Sequence, residues 1–246
     1  MLMGYSLRRA TQHMHKLSLS EAADREQVPK GCNVIMFSGG RDSTLAALRS
    51  HQTDPLVLVT IAAPHLIGLD LVRRRLGELS QILPSTTLWI VVRQPNELAT
   101  DTSFYEQTCL PCHHAYVVVG SAVAAAVKAR TLTFGYVGYQ NVWPEQTPLA
   151  INSLRNVLEK YGIELALPVQ DIASRDDAIA ALDRLGIHSG SLEQKCIRQV
   201  TNVELDPDRL RSQVELWESA IGKSLAALDQ IAIEVLEVAR LGAFND

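Results

Sequence analysis

Val34-Ile35-Met36-Phe37-Ser38-Gly39-Gly40-Arg41-Asp42-Ser43-Thr44-Leu45-Ala46-Ala47-Leu48 is the stretch that decides the fold. Its four leading apolar residues read as a buried strand, and the segment from Thr44 onward as the start of a helix. Two glycines and two serines lie at the turn between them. Glycine lets backbone approach an anion closely, and N–H groups and hydroxyls then face that anion at the positive end of a helix. The hexapeptide is therefore a polyphosphate site on physical grounds, the alternative being an ordinary glycine-rich strand-to-helix turn. No lysine follows the glycines, which excludes the GxxxxGK[ST] loop, and the spacing also excludes GxGxxG.

Outward from that turn the chain alternates. Leu56 to Ile61 reads as a second buried strand, and Val72, Leu76, Leu79 and Leu83 recur at helical spacing. Thr87 to Val92 predicts a third strand, Ala115 to Ala129 a helix apolar nearly all round, and Leu132 to Gly135 a fourth strand. Pro148 to Tyr161 predicts a helix with Thr147 as N-cap, Leu165 to Val169 a short strand, and Ser174 to Leu185 a capped helix. Strands separated by such helices predict an α/β fold with a doubly wound parallel sheet, whose ligand sits beyond the carboxyl ends of the strands. After Asn202 the strands stop. Residues 207–220, opened by Asp206 as N-cap and Pro207 as helix start, and residues 223–241 predict two helices broken at Ile221-Gly222, which pack on the sheet or form an interface such as a homodimer. The organisation expected is an N-terminal arm over 1–30, a main domain over 31–200 and a helical segment over 201–246. Arg8, Arg9, His13, His15 and Lys16 make the arm basic, and Arg73-Arg74-Arg75 reads as a solvated helix face.

The chain has 246 residues, 47% of them hydrophobic, enough for one large α/β domain. A net charge of −4 supplies no global basic field, so a nucleic-acid acceptor is not indicated by charge, although a local patch would serve one. No membrane segment or signal peptide stands out, and the expected setting is cytoplasmic. There, four cysteines point to metal or catalysis before disulfides. Cys109-Leu110-Pro111-Cys112 is followed by His113 and His114, and a CxxC pair suits zinc or an iron–sulfur cluster. Cys196 is the distant third candidate and His113 or His114 the fourth. The alternatives are a redox pair, or two cysteines that merely open a helix. Cys32 reads as a buried spectator.

Ser38, Gly39, Gly40, Asp42 and Ser43 match all five defining positions of the SGGxDS loop of the N-type ATP pyrophosphatases, and the chain resembles these PP-loop enzymes over roughly residues 32–200. The resemblance implies cleavage of ATP between the α- and β-phosphates, with Ser38, Gly39, Gly40, Arg41, Asp42, Ser43 and Thr44 on the nucleotide and Mg²⁺ held near Asp42. It also implies adenine contacts at Ala62 and a nucleotide-lining role for Gly135. Lys195 and Arg198 would neutralise the leaving pyrophosphate, so Ser38, Asp42 and Lys195 are the catalytic candidates.

Two branches of that group resemble the chain further. Gly138-Tyr139-Gln140-Asn141-Val142-Trp143-Pro144 is similar to the segment after the fourth strand in 7-cyano-7-deazaguanine synthase, and Cys196 falls where that family's first zinc cysteine lies. That branch implies a small deazapurine carboxylate as substrate, a nitrogen nucleophile and Zn²⁺. The family's other zinc cysteines are missing here, so a site rebuilt from Cys109, Cys112, Cys196 and His113 is the expectation. Tyr139 and Trp143 would stack on the base, and Asn141, Glu145 and Gln146 would read its edge. The second branch is the cluster-dependent tRNA thiolases, in which a CxxC opens the helix before the fourth strand and a third cysteine follows later. Cys109, Cys112 and Cys196 resemble that set, but the aspartates those enzymes carry after the fourth strand are absent from Gly135-Tyr136-Val137-Gly138-Tyr139-Gln140. A nucleotide-binding module without turnover is the reading from another class.

Overall fold

A computed structural model describes residues 19, 21, 28, 31–98, 108–198 and 203–244. The basic residues of the N-terminal arm lie outside the described residues. Eight strands are described: β1 (Asn33–Met36), β2 (Leu56–Ala62), β3 (Leu66–Ile67), β4 (Leu88–Arg93), β5 (Thr131–Thr133), β6 (Glu164–Ala166), β7 (Lys195–Cys196) and β8 (Val235–Arg240). The helices are α1 (Arg41–Ser50), α2 (Leu69–Leu79), α3 (Leu110–Val127), α4 (Pro148–Glu159), α5 (Arg175–Asp183) and α6 (Pro207–Ala226).

Six strands form one sheet in the order β6-β5-β1-β2-β4-β8, and β3 and β7 form a separate antiparallel ribbon. All pairings in the large sheet are parallel except β4 with β8. Alternation along the strands divides the core into two layers. Val34, Met36, Val57, Val59 and Ile90 face α3, α4 and α6, while Ile35, Phe37, Leu58, Trp89 and Val91 face α1, α2 and α5. The doubly wound α/β architecture expected from the sequence is what the structure shows. Strand order runs from β1 toward β2 and β4 on one side and toward β5 and β6 on the other, so the turn after β1 stands where the order reverses.

The caps read from the sequence form. The Thr147 side chain accepts the Ala150 N–H, that of Ser174 accepts the Asp177 N–H, and that of Asp206 accepts those of Asp208 and Arg209. Helix α3 is long and apolar enough to cross a membrane by length and composition, which the sequence reading did not credit. It lies against β1 and β5, with Val117, Val118, Val119 and Val123 in the core.

The C-terminal segment departs from the two-helix expectation. Helix α6 runs through Gly222 without a break, because Val214, Trp217, Ile221 and Leu225 line one buried face of it against α3 and α4. That burial outweighs the roughly 1 kcal/mol that one glycine costs a helix. Residues 235–240 then form β8, which covers the otherwise unpaired edge of β4. The Arg73–Arg75 triplet is not uniformly solvated either. Arg75 is fully buried, and Arg73 lies over the Trp89 ring at 5.6 Å while pairing with Glu237 at 2.5 Å.

Trp217→Ala is expected to destabilise the fold by about 3–5 kcal/mol through a core cavity. A urea midpoint unchanged by that substitution would detach α6 from the core.

Candidate active site

A buried polar chain fixes the strand end that carries the site. Trp89 Nε1 donates to Thr60 Oγ1 at 2.9 Å, and Thr60 Oγ1 donates to the Phe37 carbonyl at 2.7 Å. Ser38 follows, and its N–H donates to Ser43 Oγ at 3.3 Å. The Gly40 N–H donates to Ser38 Oγ at 3.2 Å, while Ser43 Oγ and Thr44 Oγ1 donate to the Gly40 carbonyl at 3.2 and 2.7 Å. Both serines and Thr44 therefore brace the turn in the shape in which α1 begins. Gly39 has φ +80°, and a Cβ there would stand 2.6 Å from the Leu192 carbonyl oxygen, so no other residue fits.

Of the other expected nucleotide residues, Gly135 is the one that the described contacts place against this turn. Gly135, just past β5, packs so closely that a Cβ would stand 2.7 Å from both the Asp42 carbonyl carbon and the Ser43 nitrogen. Asp42 accepts from the Tyr139 hydroxyl at 3.1 Å. Burial pushes its carboxyl up, against the pull of that hydrogen bond and of Arg41. The same neighbourhood pushes Tyr139 up to about 12, burial first and then Asp42, so the phenol stays protonated as the donor. Ala62 ends β2, where its carbonyl already accepts the Gln94 N–H at 2.8 Å. Lys195 lies on β7 with an exposed side chain.

The cysteines converge from separate elements. Cys109 caps α3 and Cys112 stands in its first turn, so the CxxC does open a helix. On the ribbon, Cys196 pairs with Leu66, and the Ile197 N–H donates to the His65 carbonyl at 2.9 Å. The His65 ring then meets Cys112, with Nε2 3.4 Å from Sγ. Burial pushes the Cys112 thiol up to about 11; nearby Cys196 adds to this and Arg198 opposes it. Burial also lowers His65, with Arg198 second. Cys32 is buried away from this group, as expected of a spectator.

His113 does not join the thiols as the zinc expectation required. Its Nδ1 lies 2.6 Å from the Tyr136 hydroxyl and its Nε2 3.8 Å from Glu145 Oε1. Burial holds His113 down to about 3 and Glu145 up to about 7, so both are pushed toward their neutral forms. His114 instead turns its Nε2 to Ser224 Oγ at 2.9 Å. Among the described residues, no group of three or more His, Cys, Asp and Glu side chains is arranged to hold a metal ion. As placed, these side chains do not fit zinc or a cluster, and neither group enters the proposed chemistry. Glu145 and Gln146 do not serve as base readers: both are buried, and Gln146 is engaged by the Val137 N–H and by Gln140.

Three residues that the sequence reading missed shape the site. Arg75 donates from Nε to the Gly39 carbonyl at 3.3 Å, from one terminal nitrogen to His188 at 2.7 Å, and from the other to Gly190 at 2.6 Å. Its place beside Val72, Leu76 and Leu79 on one helical face was a signal that it points inward. His65 and Glu193 carry no spacing that would have marked them.

No protein-family model and no curated protein matches the chain. Among solved structures it is similar to the U34-tRNA thiolase NcsA from Methanococcus maripaludis with its [4Fe-4S] cluster, at 13% identity over 87% of this chain and 78% of that one, TM-score 0.47. It is similar to a predicted subunit of tRNA methyltransferase from Methanocaldococcus jannaschii, at 13% identity over 70% and 99%, TM-score 0.41. NMN synthetase from Francisella tularensis matches at 10% identity over 85% and 96%, TM-score 0.49. At these identities and scores the likenesses assign no residue a role.

The buried Glu145 yields a pH prediction. The folded state keeps its proton up to about 7, whereas the unfolded chain releases it near the ordinary 4.5. Between those values the folded state binds more protons, so this group makes stability fall as pH rises. His113 acts oppositely: neutral in the fold down to about 3, it lowers stability as pH falls below 6.5. Glu145→Gln is expected to remove the first loss, seen as a smaller drop in urea midpoint between about pH 5 and about pH 7.5 than in the unsubstituted protein. Equal drops in both proteins would mean that Glu145 is ionised in the fold.

Proposed function

We propose that the chain is an ATP-dependent adenylating enzyme of the PP-loop type. The observation that carries this reading is the braced Ser38–Ser43 turn at the point of strand-order reversal, where Gly39 adopts φ +80° and α1 begins. An acceptor oxygen attacks the α-phosphorus of ATP, the bond between the α- and β-phosphates breaks, and pyrophosphate departs into the turn. Ser38, Gly39, Gly40 and Ser43 hold it through hydroxyls and backbone N–H groups, while Thr44, buried and bonded to the Gly40 carbonyl, keeps the turn in shape. Asp42 accompanies the divalent cation that ATP brings, a carboxylate among phosphates being tolerable only with such a cation. A second nucleophile then displaces AMP from the acceptor. Positioning and charge stabilisation do most of the work, as in other phosphate chemistry.

The acceptor is the finer question. A deazapurine carboxylate such as 7-carboxy-7-deazaguanine, attacked by a nitrogen nucleophile, is one reading, and sulfur transfer to an adenylated tRNA base is the other. The thiols support the second. Cys112 meets His65, and Cys196, paired with Leu66 on the ribbon, is close enough to act on it electrostatically. Amide formation from free ammonia needs no thiol beside the acceptor, whereas transfer from a persulfide does. A separate persulfide donor would load Cys112, and the outer sulfur would displace AMP from the acceptor. Cys196 would then attack the Cys112 sulfur to form a disulfide and release the thiolated base, an external thiol restoring both cysteines.

Pyrophosphate and AMP release from Mg-ATP is the test, run with 7-carboxy-7-deazaguanine and separately with an unmodified tRNA transcript. Release that depends on the carboxylate supports the ligase; release that depends on RNA supports transfer; release with neither removes adenylation. Ser38→Ala and Asp42→Asn are each expected to slow release by about 100-fold or more, the usual loss when a group stabilising transition-state charge is removed. Cys112→Ser is expected to abolish sulfur incorporation into tRNA while leaving pyrophosphate release intact. Unchanged incorporation would exclude this thiol from the transfer.

A further inference from the structure

Residues 187–196 cross the Ser38–Ser43 turn as a strap held at both ends. At one end the Arg75 guanidinium takes the carbonyls of His188 and Gly190 together with that of Gly39. At the other, β7 pairs with β3 and the Ile197 N–H donates to the His65 carbonyl. Between these anchors the Gln194 N–H donates to the Ser38 carbonyl at 3.4 Å. The Glu193 side chain reaches the start of α1, where a Cβ on Gly40 would stand 2.6 Å from its Oε2. Its charge is felt by the Asp42 carboxyl in the same cleft.

The start of α1 gathers N–H groups without helical partners at the positive end of the helix dipole, the place where an anion is best stabilised. We propose that Glu193 is an internal occupant of the polyphosphate seat, which the phosphates of ATP must displace in order to bind. The proposal rests on the reading of the turn as a phosphate site. The carboxylate stands against the start of α1, and like charge bars a carboxylate and a phosphate from sharing the seat. Displacement requires no unfolding. The strap is pinned through its backbone, by Arg75 and by β3, while the Glu193 side chain is exposed and free to rotate away. In the absence of nucleotide the carboxylate would exclude stray anions from a turn that its own hydrogen bonds keep formed. In its presence the same side chain makes affinity lower than the turn alone would give.

The test is equilibrium binding of inorganic pyrophosphate, with and without Mg²⁺, to the full chain and to Glu193→Gln and Glu193→Ala. Both variants change an exposed side chain, and circular dichroism verifies that they fold. Each is expected to bind pyrophosphate about tenfold more tightly, the worth of one carboxylate at a helix N-terminus. Unchanged affinity would overturn the proposal. So would weakening confined to the Mg²⁺ arm, which would make Glu193 a cation-holding group. Absence of pyrophosphate binding in all three proteins would overturn the phosphate reading itself, and so differs from failure of the displacement idea alone.

Discussion

One buried guanidinium holds the site together. Arg75 is fully enclosed, and its fork meets three backbone carbonyls from two distant parts of the chain, at Gly39 and at His188 and Gly190, while Glu78 supplies the countercharge at 2.5 Å. A buried cation is tolerable only when its donors are satisfied, and here they are satisfied by the loop and by the strap at once. Burial lowers the guanidinium's proton affinity and Glu78 restores it in part, yet arginine stays charged across any accessible pH. Lysine gathers its donors on one nitrogen and could not span carbonyls that Arg75 meets from three separate nitrogens. The loop and the strap are thus one structural unit, although about 150 residues separate them in the chain.

The two layers flanking the sheet divide the labour of the site. The α1, α2 and α5 layer carries the loop, Arg75 and the strap, where backbone polar groups converge on an open seat. The opposite layer carries the CxxC at the start of α3 and, beneath it, the Tyr136–His113–Glu145 network enclosed by the rings of Tyr116 and Phe134. At the ribbon of β3 and β7 the layers meet: the His65 ring contacts Cys112, and Cys196 is near enough to influence that thiol electrostatically.

Much of this was legible in the sequence. Apolar runs at β1, β2 and β4, separated by stretches of helical period, require a buried parallel sheet, because strands without a polar face need cover on both sides. The turn from Ser38 to Ser43 announces itself because adjacent glycines mark a sharp backbone turn, and at Gly39 only glycine takes φ +80° without strain. The caps Thr147, Ser174 and Asp206 were readable for a related reason: capping is settled within three residues of the chain.

What sequence could not decide was every interaction whose partner is remote. Residues 235–240 have an apolar pattern that suits a helix as well as a strand, and only the open edge of β4 makes them β8. Gly222 looked like a break until the buried faces of Trp217 and Ile221 carried α6 through it. His113 sits beside a CxxC in the chain, yet its position along α3 turns it to Tyr136 and Glu145, while His65, 47 residues before Cys112, meets the thiol. Local pattern thus determined most of the elements and the Ser38–Ser43 turn, since backbone geometry and short-range hydrogen bonding dictate them. Tertiary packing alone decided which side chains share the cleft, because helix rotation and the path of the strap are set by burial across the whole fold.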